Sequence, residues 1–351
     1  MRALTLRGHG DLSMLEVADV PKPDLSGPGS VVVKLHSAAL NHLDLWTVRG
    51  LPGLELDFPH VIGGDGAGVI EEIGDKVKNV KPGDRVMINP GVSCYDCDWC
   101  ESGEHSLCPS YRLLGEHLPG TLAEYIVLPH QNVTVIPDTP EGHDPISFNE
   151  AAAYSLVTLT AWRMLMTRAK VKTGETVLIW GVGGGVSSTA VQLARLAGAF
   201  VIATSSSDEK LKAAEALGAD VTLNHKDVDV AKEVYKLTNK NGVDVVVDNV
   251  GAATWGDSVR MLSKMGRLVT CGATTGPKVE NDVRKMFWHQ YTLMGSTMGS
   301  LKEYREIVKL LGQGRLRPKI DSVFPLEQGA DAIARMEAGE QMGKLVVQIQ
   351  P

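Results

Sequence analysis

Cys94, Cys97, Cys100 and Cys108 fall within fifteen residues of one another and make up four of the chain's five cysteines. Four thiolates at that spacing can fill one tetrahedral zinc shell with no open position. Such a site stiffens a loop and does no chemistry, so the cluster predicts one structural zinc per chain. A second group of residues could bind an anion. Gly181-Val182-Gly183-Gly184-Gly185-Val186 follows an apolar run, Thr176 to Trp180, and opens an amphipathic stretch, Val186 to Leu196. Glycines between a strand and a helix let a pyrophosphate approach the backbone and the helix N–H groups. In that setting the string predicts a dinucleotide site.

The end of the second strand selects the nucleotide. An acid there would bind the ribose hydroxyls and repel a 2′-phosphate. The chain reads Thr204-Ser205-Ser206-Ser207-Asp208-Glu209-Lys210, with Ser205 at the discriminating position. Hydroxyls at Ser205 and Ser206 with Lys210 nearby favour NADP(H) over NAD(H). The competing reading has Asp208 turn onto the ribose, which would give NAD(H).

These groups require two kinds of scaffold. Residues 1 to 157 read as short strands and turns, with a β-branched run at Ser30 to His36 and a Lys81-Pro82-Gly83-Asp84 turn, forming a β-rich barrel with loops. Gly63, Gly64, Gly66 and Gly68 predict backbone segments in close approach. Ala151 to Lys170 is Ala/Leu/Met-rich and reads as helix. Strands and helices then alternate over some 140 residues, which predicts a doubly wound parallel sheet. The expected strands are Thr176 to Trp180, Phe200 to Thr204, Val221 to Leu223, Val243 to Asp248 and Arg267 to Cys271, with Tyr291 to Met294 following. Helices are expected at Leu301 to Gly312 and Leu326 to Gly339, with a last strand over Lys344 to Gln350.

Composition sets the outer limits. The chain has 351 residues, 43% apolar and 22% charged, with net charge −7. That is room for two cores, and it argues against a broad nucleic-acid or anionic-membrane surface. No apolar run approaches a membrane span and the N-terminus lacks a signal-peptide core. A cytoplasmic location follows, where clustered cysteines are ligands rather than disulfides.

Together these features resemble the medium-chain dehydrogenase/reductase superfamily over essentially the whole chain. The matching residues are the Pro82-Gly83-Asp84-Arg85-Val86 turn, the cysteine lobe, Gly115-Glu116-His117, Gly120 to Tyr125, the glycine loop, Asp248-Asn249-Val250-Gly251, Gly295-Ser296 and Gly343-Lys344. The resemblance implies an α/β fold, a GroES-like β-rich catalytic domain plus a Rossmann doubly wound parallel sheet. The catalytic domain would take residues 1–157 and 296–351, with the zinc lobe at about 91–110, and the Rossmann domain residues 158–295. The active site would lie in the cleft between them. The expected cofactor contacts are Thr160, Gly181, Gly183, Gly184, Gly185, Val186, Ser205, Ser206, Lys210, Val250, Gly272, Ala273, Gly295, Ser296 and Lys344. The superfamily's oligomers imply a homodimer or homotetramer.

The zinc alcohol dehydrogenases of the superfamily hold a second, catalytic zinc. Carried over position by position, its ligands fall on Asn41, Gly64 and Leu156, and the proton-relaying hydroxyl on Leu43. Asparagine, glycine and leucine cannot make a three-ligand open zinc site. What remains is similar to the zinc-independent quinone oxidoreductases and enoyl or enone reductases, which carry asparagine and aspartate where Asn41 and Asp65 stand. Those usually lack the cysteine lobe. The expected reaction is NADPH-dependent hydride transfer to a small molecule, an activated double bond or a quinone. Asn41, through its amide N–H, and His42 would stabilise the oxyanion, and His42 could donate the proton. Asp44 and Asp65 would orient it or hold the loop. A backbone-bonded loop histidine is the plain alternative for His42, and a structural role is that for the two aspartates. Two other functions stay open. One is an alcohol dehydrogenase or aldehyde reductase with an unconventional metal site drawn from His42, Asp44, His60, Asp65 and His117. The other is a non-catalytic nucleotide-binding protein.

Overall fold

The computed structural model describes residues 1–350. The chain divides into two compact units, residues 1–157 with 299–351 and residues 158–298. The second crossing point thus falls three residues later than 295/296. The expected helix at Ala151 is α-helical over Phe148–Trp162 and π-helical over Arg163–Arg168.

Residues 158–298 form a six-stranded sheet, parallel throughout. Its strands are β1 (Thr176–Ile179), β2 (Phe200–Ser205), β3 (Val221–Asn224), β4 (Val243–Val247), β5 (Leu262–Thr270) and β6 (Thr292–Gly295). Their spatial order is β3-β2-β1-β4-β5-β6. Val243, Val245, Val246 and Val247 are all buried although they point to alternating faces. A sheet covered by helices on both sides requires such a continuous apolar run. The chain order reverses between β1 and β4, and loops at the carboxyl ends of these strands line a crevice where nucleotides bind. Strand β5 begins five residues before the expected Arg267. Its pairing with β4 jumps from Val243↔Leu262 to Val245↔Arg267, and Met265 bulges out at φ 62°.

Residues 1–157 and 299–351 form a seven-stranded sheet, a three-stranded sheet and a two-stranded sheet. The strand Ser30–Ala39 is central. It pairs with Asp65–Ile73, Tyr125–Pro129 and Lys344–Gln348. The register sets Ala39 opposite both Asp65 and Val346. Three strand ends, from distant parts of the chain, therefore meet just before the helix His42–Arg49. The close approach expected of the glycines is real, since a Cβ on Gly68 would collide with the Lys34 carbonyl. Leu45 and Val48 of the helix pack with Leu4, Leu6, Ile62, Leu122, Ile333 and Leu345 in one core, which fixes the helix on the sheet.

Candidate active site and zinc lobe

Lys344 begins the strand Lys344–Gln348, and the three residues after it, Leu345, Val346 and Val347, are apolar and buried. A lysine there must find acceptors or forfeit its hydration. Its Nζ lies 2.6 Å from Leu40 O, 2.6 Å from Asn41 Oδ1 and 3.1 Å from Asp65 Oδ2. The ammonium spends its three hydrogens on these three oxygens. Both ends of the pair with Asp65 are buried. Asp65 is bonded on each oxygen: Oδ1 accepts from Leu156 N at 2.8 Å, and Oδ2 also accepts from Asn41 Nδ2 at 3.0 Å.

This network changes three expectations. Lys344 was expected at the cofactor, but its charge is consumed inside the catalytic unit. Asn41 was expected to offer its amide N–H to an oxyanion. Its Nδ2 instead points at Asp65 Oδ2 and Ala39 O (3.3 Å), and the side chain is buried. Asp65 was placed with the catalytic groups, and its geometry is that of an anchor between Leu156, Asn41 and Lys344.

The positions that would hold a catalytic zinc do come together. Asn41 and Leu156 both bond Asp65, and a Cβ on Gly64 would sit 3.4 Å from Leu156 Cδ1. The donor set is wrong for the metal: an amide oxygen already taken by an ammonium, no side chain, and a hydrocarbon. The unconventional metal site fares no better. His60 bonds Gly115 O at 3.2 Å, and His117 Nδ1 accepts from Leu113 N at 3.3 Å. Among the described residues, the five candidates form no group of three metal-ligating atoms.

Asp44 caps the helix His42–Arg49. Its Oδ2 accepts from Asn41 N at 2.8 Å. Its Oδ1 is buried with no partner. Burial raises the Asp44 pKa to about 7, against the Asn41 N–H and the Lys344 charge, which lower it. Asp44 therefore acts as a cap, which is its plainer reading. His42 is the first residue of that helix and is exposed, with Trp46 in edge contact at 6.1 Å. Crowding by protein pushes its pKa below the usual histidine range, and Arg49 adds to this. At neutral pH the ring is a neutral imidazole with one N–H to donate.

The cysteine lobe has the geometry of a closed zinc site. The four Sγ atoms lie within 4.8 Å of one another, with Cys94 to Cys108 at 3.5 Å and Cys94 to Cys100 at 3.9 Å. A tetrahedron of Zn–S bonds near 2.3 Å has sulfur edges of about 3.8 Å. Cys94 N also points at Cys108 Sγ, at 3.5 Å, which lowers that thiol to about 7. All five cysteines are free thiols. Cys271, half-buried just after β5, is pushed up to about 12 by the protein around it and contacts Asn249 Oδ1 at 3.2 Å.

In the parallel-sheet unit, Gly181 turns the chain at φ 63°, Gly184 is the N-cap and Gly185 the first residue of the helix Gly185–Leu196. Val186 and Gly183 stay partly open in the same loop. Val182 N is tied to Thr204 O at 2.9 Å, which locks the loop to β2. Buried Asp248, at the end of β4, accepts from Val250 N, Gly251 N, Thr254 Oγ1 and Ser258 Oγ and so fixes the neighbouring loop. Gly272 and Ala273 follow β5, and Gly295 and Ser296 close β6. Ser296 Oγ and Thr158 Oγ1 are buried without a hydrogen-bond partner. Thr160 directs its hydroxyl to Met298 Sδ at 3.6 Å. Ser205 is buried and Ser206 exposed, while Ser207 caps the helix Asp208–Ala216 by accepting from Lys210 N. These residues fit a dinucleotide.

Comparison with known proteins agrees with this geometry. Residues 27–138 match the alcohol dehydrogenase GroES-like domain, and residues 185–313 the zinc-binding dehydrogenase family. An NAD-dependent alcohol dehydrogenase of Sulfolobus acidocaldarius is 31% identical over 99% of this chain and 100% of its own. A crotonyl-CoA carboxylase/reductase of Cereibacter sphaeroides is 30% identical over 98% of this chain and 85% of its own. The crystal structure of an NAD-dependent alcohol dehydrogenase superposes with TM-score 0.94 at 42% identity, covering 100% of both chains. The chain belongs to the medium-chain dehydrogenase/reductase superfamily. It is an NAD(P)-dependent oxidoreductase of that superfamily, acting on small molecules, and no described helix is long and apolar enough to cross a membrane.

Sequence reasoning missed the partners of Lys344 and the Asp248 hub. A charge opening an apolar strand was the available signal for Lys344. Its partners lie 279 and 303 residues away, so only the sheet register reveals them.

Proposed function

We propose that this enzyme is an NADPH-dependent reductase of an activated double bond (an enal, enone or enoyl thioester) or of a quinone, working without a catalytic zinc. One observation carries the reading: at the three positions where a catalytic zinc would need ligands, Asn41 is bonded to Lys344 and Asp65, and Gly64 and Leu156 offer no side-chain donor. The likeness to a crotonyl-CoA carboxylase/reductase supports it.

When bound, reduced nicotinamide cofactor supplies the hydride. The chain's own groups bind, orient and donate. The glycine loop receives the pyrophosphate, with Asp248 holding the adjacent turn. His42, with its lowered pKa, offers a neutral N–H to the oxygen on which charge develops. Lys344, Asn41 and Asp65 hold the start of the His42 helix in place. Ser205, Ser206 and Lys210 favour NADP(H) at the adenosine ribose. A screen of NADPH and NADH oxidation over quinones, enals, enoyl thioesters and aldehydes tests the proposal. Turnover with aldehydes alone would overturn it.

The likeness to NAD-dependent alcohol dehydrogenases favours a second reading, alcohol oxidation. It needs a second metal per chain. Assembly as a homodimer or homotetramer is supported by the edge strand β6 and by the exposed Phe287 (66%) and Trp288 (77%) beside it in sequence.

A further inference from the structure

The acid that would give NAD(H) binding is present, and something else holds it. Strands β2 and β3 run parallel in a register that sets Ser205 opposite Asn224. His225 N donates to Ser205 O at 3.0 Å, which joins the two strand ends. The Asn224 side chain is fixed at both ends. Its Oδ1 accepts from Lys226 N at 3.1 Å, and its Nδ2 donates to Asp208 Oδ1 at 2.9 Å. The first contact sets which way the amide faces, so the N–H2 end must meet the carboxylate. Asp208 is an exposed first residue of its helix, and a single bond to β3 decides where its charge sits.

We propose that Asn224 determines nucleotide specificity by holding the Asp208 carboxylate on β3. This rests on the NADP(H) reading of the serine turn. A carboxylate free to reach the adenosine ribose would accept its hydroxyls and repel a 2′-phosphate dianion. Held by Asn224, Asp208 leaves the Ser205–Ser206 turn to a 2′-phosphorylated dinucleotide. The discriminating residue then lies on the third strand, outside the turn that contacts the ribose.

Dissociation constants for NADPH and NADH, titrated on the zinc-replete full chain, test this for wild type, Asn224→Ala and Asn224→Ala/Asp208→Asn. Asn224→Ala should move the NADPH-to-NADH preference towards NADH by about fivefold, the worth of one exposed hydrogen bond. The double variant should regain the wild-type preference or exceed it. An unchanged preference in Asn224→Ala, with thermal unfolding showing it folded, overturns the proposal. So does a shift that persists in the double variant, or an equal loss for both nucleotides. The wild-type preference is a separate outcome: a chain that binds NADH more tightly refutes the NADP(H) reading, while the change on substitution still decides the role of Asn224.

Discussion

The Lys344 ammonium lies 2.6 Å from Oδ1 of Asn41, the residue at the first position of the family's catalytic zinc shell. Asn41 Nδ2 faces Asp65 at 3.0 Å, so this amide links a buried cation to its counter-ion. The pair gives the start of the helix His42–Arg49 a fixed geometry built from side chains alone.

Removing the cation should therefore cost more than removing the pair. Lys344→Met leaves Asp65 buried and charged without its partner, a loss of about 3–5 kcal/mol. Lys344→Met/Asp65→Asn should recover a large part of it. Urea unfolding of both variants checks this, and a double variant no more stable than Lys344→Met would contradict the assignment.

Asp44 gives stability a pH dependence with a definite sign. Its folded pKa, about 7, lies above the ordinary 3.8. The native state thus holds the proton more tightly, and stability falls as pH rises between those values. Asp44→Asn keeps an acceptor for the Asn41 N–H and cannot ionise. Its stability relative to wild type should improve by on the order of 2–4 kcal/mol between pH 4 and pH 8. A difference independent of pH would show that Asp44 is not the titrating group.

His42 should matter to turnover more than to binding. His42→Leu is expected to lower kcat about 100-fold with little change in KM. Because its pKa is lowered, the wild-type rate should stay flat from neutral pH upward as far as this group is concerned. In acid, where the ring gains a second proton, the rate should hold or rise, because the imidazolium keeps the N–H and donates it more strongly. Steady-state kinetics across pH decide the point, and an unaltered kcat would return His42 to an ordinary loop residue.

The cysteine lobe is held by a four-residue helix, Asp98–Glu101, and a short turn, His105–Leu107. Elements so short are not stable alone. Cys100→Ser should abolish zinc binding, lower the Tm and open residues 94–108 to proteolysis. The parallel sheet has its own core, so the Kd for NADPH should change less than about twofold. A resistant lobe in the zinc-free variant would mean that the metal does not hold it.

Legibility in the sequence followed interaction range. The glycine loop, the parallel strands and the cysteine lobe were readable because each is a local pattern, with apolar runs, a turn and a ligand spacing. The start of β5 was not, since a bulge at Met265 interrupts its alternation. The candidate site was half legible. Types at Asn41, Gly64 and Leu156 already spoke against a second zinc. The roles of Asn41 and Lys344 were misassigned, because a hydrogen bond across 303 residues leaves no trace in spacing. Asp208 was visible as a possible ribose ligand, but Asn224, which restrains it, became apparent only from the β2–β3 register.

The zinc content of the purified wild-type chain tests the central claim most directly. Four cysteines and no second shell predict one zinc per chain, lost in Cys100→Ser without any residual metal. Two zinc ions per chain, with one remaining in Cys100→Ser, would contradict the account and return the enzyme to metal-dependent alcohol chemistry.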